Sequence, residues 1–245
     1  MTLHLLRFDP DMARAAQWFA AEKLLTSKAE DDGYAWHALL TAAFGKALSP
    51  KPFHVHARRN CPVQLLASTG ADPAALLSHA RSFADPQAFA ALRLSADADI
   101  AAKPIPAFTP GRRLGFSLRI RPTVRTDRLG NRKKTAERDA YLAALAVAPP
   151  DAPPDRAEVY LIWTRTRLEQ GGVQVLSARI HGHERVETMR RDSGRRLKPV
   201  QGHAASVAGV IEIANTGRFQ ELLARGVGRH RAFGYGMLLL SPVGA

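Results

Sequence analysis

A single cysteine, Cys61, stands among 245 residues, so no internal disulfide can form, and a lone thiol argues against a zinc–thiolate centre. That usage fits a cytoplasmic chain. No apolar run approaches the roughly 18–20 residues needed to span a bilayer, so no membrane association is expected. The opening MTLHLLRFDPDMARAA has no basic n-region and meets Asp9 and Asp11 early, so no secretory leader is expected either. Negative charge is also scarce: 22 acidic residues face 35 basic ones, a net +13 with a pI near 10.7.

The excess is one-sided. Residues 1–110 carry 11 basic and 10 acidic side chains, whereas residues 111–245 carry 24 and 12. Twenty-one of those 24 are arginines, whose planar forks suit phosphates and base edges. A basic half of this kind points to a polyanion, most often nucleic acid. A GC-rich genome explains Arg in place of Lys but not the net charge. With 46% hydrophobic residues the chain is globular and long enough for one large or two small domains.

The apolar pattern predicts a strand over residues 2–8, a short helix capped by Asp9 or Asp11, and a longer helix from Asp32 to Leu48. FHVHARR and CPVQLLAS read as strands joined by a turn at Arg58–Asn60. Asp72-Pro73 opens another helix, and ADIAAKPIPAFTP is extended. Strand–helix–strand–strand–helix–strand is the order of a ferredoxin-like unit. At Pro110-Gly111 the charge changes. Leu114, Phe116, Leu118 and Ile120 then alternate with Arg113, Ser117, Arg119 and Arg121 in the manner of an apolar-in, basic-out strand.

Further on, Thr135 is expected to cap a helix through Leu145, and Asp155 another ending at Gly171. VQVLSARIHG and ERVETMRR read as separate strands, with a basic hairpin after them. ASVAGVIEIAN is a strand, TGRFQELLARG a helix capped by Thr216, and MLLLSP the last strand. The second half thus repeats the first, with an insertion at Pro149–Leu197. The expected fold is α+β: two tandem ferredoxin-like (RRM-like) domains, βαββαβ each, spanning residues 1–109 and 110–245.

The loop GVGRHRAFGYG, carrying Gly226, Gly228, Gly234 and Gly236, joins the last helix to the last strand. Its glycines permit positive φ and close approach, and its amides can cradle a phosphate. No Gly-Lys-Ser/Thr follows, so it is not a Walker loop, and helix-before-strand is the reverse of a dinucleotide fingerprint. The alternative is a tight connection packed under the sheet. Arg229 and Arg231 flank it. Arg113, Arg119, Arg121 and Arg125, the loop Lys133–Lys134, and Arg195, Arg196 and Lys198 of the basic hairpin are the other candidate RNA contacts. No stacked-aromatic RRM signature is present, so a structured hairpin is the expected ligand.

The C-terminal GVGRHRAFGYGMLLL resembles the glycine-rich loop of CRISPR repeat-processing endoribonucleases, the CasE branch of the Cascade complex most closely. FTPGRRLGFSLRIRPTVR, TAERDAYLAAL, WTRTRLEQGG and the Tyr34-Ala35-Trp36-His37 motif extend the resemblance over nearly the whole chain. It implies metal-independent cleavage of precursor CRISPR RNA by a ribose 2′-hydroxyl, no cofactor, and other Cascade subunits as partners. By the same resemblance His37 is the general acid or base and Tyr34 holds the 2′-hydroxyl or a phosphate oxygen. Three residues apart, they share one helix face. A relative's lysine one turn beyond the histidine is Ala42 here, which leaves Lys46 or an arginine of the second half to stabilise the phosphorane. His4, His54 and His56 are expected to be structural or RNA-facing. The competing readings are a non-catalytic RNA-hairpin-binding subunit and a basic protein packed on assembled RNA.

Overall fold

The computed structural model describes residues 2–24, 32–57, 61–95, 99–127, 135–191 and 197–243. Its first unit runs β1 (His4–Phe8), α1 (Met12–Ala21), α2 (Gly33–Leu48), β2 (Phe53–His56), β3 (Gln64–Thr69), α3 (Pro73–Phe83), α4 (Pro86–Ala91) and β4 (Ala101–Pro104). The sheet order β2-β3-β1-β4, antiparallel throughout, is that of a ferredoxin-like unit. Aspartates start α1, α3 and α4 by satisfying amides that no helical turn can reach. Asp11 accepts from Ala13 and Arg14 N–H, and Asp72 from Ala75. Asp85 caps α4 and also accepts the Trp18 indole N–H at 3.1 Å, fastening α1 to α4. The helical stripe of α2 buries Trp36, Leu39, Leu40 and Phe44 against Leu6, Phe8 and Phe19. At Gly45 the helix breaks before a last turn that carries Lys46 outward.

The second unit opens with β5 (Arg113–Ile120). Then come a hairpin of β6 (Thr123–Asp127) and β7 (Thr135–Asp139), α5 (Ala140–Leu145) and α6 (Arg156–Gln170). β8 (Val173–Arg191), β9 (Leu197–Ile213), α7 (Thr216–Arg225) and β10 (Leu239–Ser241) complete it. Sheet order β10-β5-β9-β8 repeats the first topology once the β6–β7 hairpin and α5 are set aside. Leu114, Phe116, Leu118 and Ile120 face a second core with Trp163, Ile211 and Phe219. The units meet where Leu5, Leu66 and Ser68 oppose Leu238–Leu240 around a cavity of about 390 Å³, and where Phe108 packs edge-on to Phe219 at 5.3 Å.

Four expectations are corrected. Residues 135–139 form a strand paired with β6, and the helix after it is capped by Asp139 rather than Thr135. VQVLSARIHG and ERVETMRR are one 19-residue strand, bulged between Val175 and Ser177 and between Ile180 and Gly182. The extra residues interrupt the side-chain alternation, which is what made one strand read as two. The addition to the ferredoxin plan is the β6–β7 hairpin with α5, while α6 and β8 belong to the plan itself. Asn215, not Thr216, caps α7 by accepting from Arg218 N–H at 3.0 Å. The turn expected at Arg58–Asn60 lies outside the described residues.

Candidate nucleic-acid interface and active site

Tyr34 and His37 sit on the first turns of α2, both half-buried, with ring centroids 6.5 Å apart. The glycine-rich loop of the second unit crosses the seam to reach them. Its short 3-10 turn, Arg231–Phe233, sets the Phe233 ring 6.0 Å from Tyr34 and 5.5 Å from His37, edge-on to the imidazole at 86°. Burial lowers the His37 pKa first, and the ammonium of Lys51 lowers it further. The imidazole is therefore neutral near pH 7 and able to accept a proton.

The loop is a packed device. Val227 N–H donates to Gly236 O at 2.7 Å, and Gly236 N–H to Arg119 O on β5 at 2.8 Å. At Gly236 φ is +77°, and a Cβ would lie 2.2 Å from Val227 O, so only glycine fits. Below the loop lie Pro52 and Phe53, whose nearest atoms come 3.0 Å and 3.4 Å from where Cβ atoms would stand at Gly226 and Gly234. These two residues follow Lys51 directly, so the segment that seats the loop also holds the lysine within electrostatic reach of His37. A second tie runs from the loop to β7. Glu137 accepts from His230 and pairs with Arg229 at 3.3 Å, and the His230 hydrogen bond first of all pulls its pKa down to about 2.

The two sides of the loop differ. Phe233 faces α2. The other side, with Arg225, Arg229 and Arg231, borders a cleft of about 430 Å³ shared with Arg125, Arg167 and Trp163. Five arginines line it, and none of its lining residues is acidic. Arg125, Arg229 and Arg231 were legible in the sequence, whereas Arg167 and the partnership with Trp163 were not.

The remaining candidates divide. Arg113 is exposed and pairs with Glu212 at 2.8 Å. Arg119 pairs with Glu184 at 2.7 Å and lies 4.8 Å from the centre of the Tyr235 ring. Arg121 is only 5% exposed, folded against Gly202 and 6.0 Å from the Tyr235 ring, so it is an interior cation rather than one projecting from a basic strand face. Lys133, Lys134, Arg195 and Arg196 lie outside the described residues, and Lys198 is described only as the partner of Arg190 in the β8–β9 ladder. Of the other histidines, His54 is half-buried and held to a pKa of about 4, by burial first and then by the charges of His56 and Arg119. Lys51 and Phe233 went unnoticed in the sequence. The one signal for Lys51 was its place just before a strand that packs on the helix of His37.

Two ferredoxin-like units, the second basic and sending a glycine-rich loop onto a Tyr/His helix of the first, define the class: a tandem ferredoxin-like protein with an arginine-lined cleft in its second unit. A family model described as CRISPR associated protein matches residues 3–242, and the chain belongs to that family. The CRISPR-associated endoribonuclease Cse3 of Thermus thermophilus is 30% identical over 147 residues, which is 56% of this chain and 59% of that relative. The match thus spans less than two thirds of the relative's length. Among solved structures, Cse3 bound to a 19-nt RNA superposes with a TM-score of 0.62 at 23% identity, covering 99% of this chain and all of the other. A chain of a CRISPR RNA-guided surveillance complex in a pre-nicking state superposes at 0.56 and 17% identity, covering 98% of this chain and all of the other. At these identities the superpositions establish the fold.

Proposed function

We propose that this protein is a metal-independent endoribonuclease that binds a CRISPR repeat hairpin, cuts precursor CRISPR RNA and keeps its product within a cytoplasmic Cascade complex. The relative that shares 30% identity is named an endoribonuclease, and the surveillance-complex likeness supports assembly with further subunits. Residues 1–109 present the acid–base group, and residues 110–245 clamp the RNA.

One observation carries this reading: Tyr34 and His37 meet Phe233 at the edge of the loop whose opposite side borders a cleft lined by five arginines. A strand held by those arginines passes the imidazole within a few ångströms of the loop. Neutral His37 accepts the proton of a ribose 2′-hydroxyl. The 2′-oxygen bonds to phosphorus, the bond to the 5′-oxygen breaks, and that oxygen takes a proton from solvent. Tyr34 holds a phosphate oxygen. Lys51 takes the electrostatic role expected of Lys46 and stabilises the charge that builds on the phosphorane. The products are a 2′,3′-cyclic phosphate and a 5′-hydroxyl.

The test is incubation with a repeat hairpin in EDTA. A single cut at the foot of the stem is expected, slowed roughly 10²–10⁴-fold in His37→Ala with hairpin affinity retained. Tight binding without a cut by the wild-type protein would make the chain a non-catalytic hairpin-binding subunit.

A further inference from the structure

Beside the Tyr34–His37–Phe233 cluster lies a second cleft, of about 590 Å³, which the catalytic proposal does not use. It opens between the β6–β7 hairpin with α5 on one side and the β8–β9 hairpin on the other. Phe233 lines it and also stands 5.5 Å from His37, so one aromatic ring borders both the cleft and the imidazole.

Its lining includes Arg138 and two carboxylates, both already engaged: Glu137 by His230 and Arg229, and Asp139 by the Tyr160 hydroxyl at 2.7 Å and by Arg156. The rest of the lining is of two kinds. Leu142 and Val200, each a little over a third exposed, supply an apolar wall with Phe233. Arg185 and Gln201, hydrogen-bonded to each other across β8 and β9, supply planar donor and acceptor groups, and His203 adds another. Desolvation, first of all, lowers the His203 pKa, and His183 engages its Nδ1 at 3.2 Å, which leaves Nε2 as the ring's other polar atom. Arg121 places a buried positive charge at the wall.

An apolar slot edged with planar hydrogen-bonding groups and a cation matches a nucleobase with its phosphate. It does not match a bare anion, for which the apolar wall has no use. A duplex stem is far too wide to enter, and the volume falls in the range that encloses one small ligand. Resting on the endoribonuclease reading, we infer that this cleft receives a single nucleotide extruded from the RNA strand next to the scissile phosphate. Seating that base beyond Phe233 unstacks the strand at the cut. The ribose–phosphate junction is then free to rotate towards the in-line geometry that attack by the 2′-oxygen needs.

The experiment is a cycle of cleft and RNA changes, read as affinity in the His37→Ala protein so that the RNA stays intact. Val200→Trp fills the slot from an exposed strand position, and Arg185→Ala removes an edge group without adding bulk. A set of hairpins carries one abasic nucleotide each, placed in turn around the foot of the stem. At one position next to the cut, the abasic RNA is expected to bind roughly ten- to hundredfold more weakly. Val200→Trp should lose a similar factor with intact RNA and nothing further with that abasic RNA. Arg185→Ala should show the same non-additivity at a smaller loss. Losses that multiply at every position overturn the inference while leaving the hairpin-binding reading intact. Failure of the wild-type protein to bind any hairpin overturns both. A free mononucleotide at millimolar concentration tests the other source of the same chemistry. If it binds the slot in the RNA-free protein and Val200→Trp leaves every hairpin affinity unchanged, the slot serves a soluble nucleotide and the extrusion model fails.

Discussion

Gly236 and Gly111 have nearly the same backbone, with φ of +77° and +79°, in very different surroundings. Replacing either with alanine forces an L-residue into the left-handed region, at about 1–2 kcal/mol. At Gly111 the new methyl meets nothing within 4 Å, so that cost stands alone. At Gly236 the methyl would lie 2.2 Å from the carbonyl oxygen of Val227, a backbone atom that no side-chain rotation can move aside. The loop must open, and the two hydrogen bonds closing it, Val227 N–H to Gly236 O and Gly236 N–H to Arg119 O, are lost at about 1 kcal/mol each. Gly236→Ala should therefore destabilise by about 3–4 kcal/mol and Gly111→Ala by about 1–2 kcal/mol. Urea unfolding at pH 7.5, followed by tryptophan fluorescence, gives both numbers. Since Phe233 is three residues away, Gly236→Ala should also lose hairpin cleavage under conditions where it is still folded, and Gly111→Ala should not. Equal destabilisation of the two variants, or full activity in Gly236→Ala, would show that the loop is not the close-packed support described above.

His54 provides a pH test. With a folded pKa of about 4 against an ordinary 6.5, the unfolded chain binds the extra proton as pH falls between those values, so its contribution is complete above pH 6.5 and lost on acidification. That loss is about 2 kcal/mol between pH 7.5 and pH 5, and His54→Gln should remove it from the difference between urea midpoints. At His37 burial is the larger cause of the lowered pKa and Lys51 the second. Lys51→Met should let the imidazole pKa rise, moving the acid limb of the single-turnover rate to higher pH and lowering the plateau roughly tenfold. An unmoved limb would remove Lys51 from the site.

Much of the scaffold could be read from short-range chemistry. The alternation in β5 predicted which of its residues are buried, and aspartates ahead of apolar periodic runs marked helix starts correctly at α1, α3 and α6. Errors arose where pairing partners outvoted local preference. TAERDAYLAAL has helix-like spacing, yet its first five residues join a ladder with β6, a choice made by a neighbour and not by the segment. The Tyr34/His37 pair was visible only through its resemblance to a family motif, because a histidine on an apolar helix face is otherwise ordinary.

What the sequence determined by itself is the set of parts: two units of alternating strands and helices, an excess of arginine in one of them, and a glycine loop able to turn sharply. Folding alone decided which parts meet. Phe233 comes to His37 from 196 positions away, Lys51 is brought back by the turn into β2, and Arg125, Arg167 and Arg229 converge from three different elements. Backbone preferences act over a few residues and leave a mark in the sequence, whereas a site at a seam is made by contacts between distant segments, set by the packing of two sheets against each other.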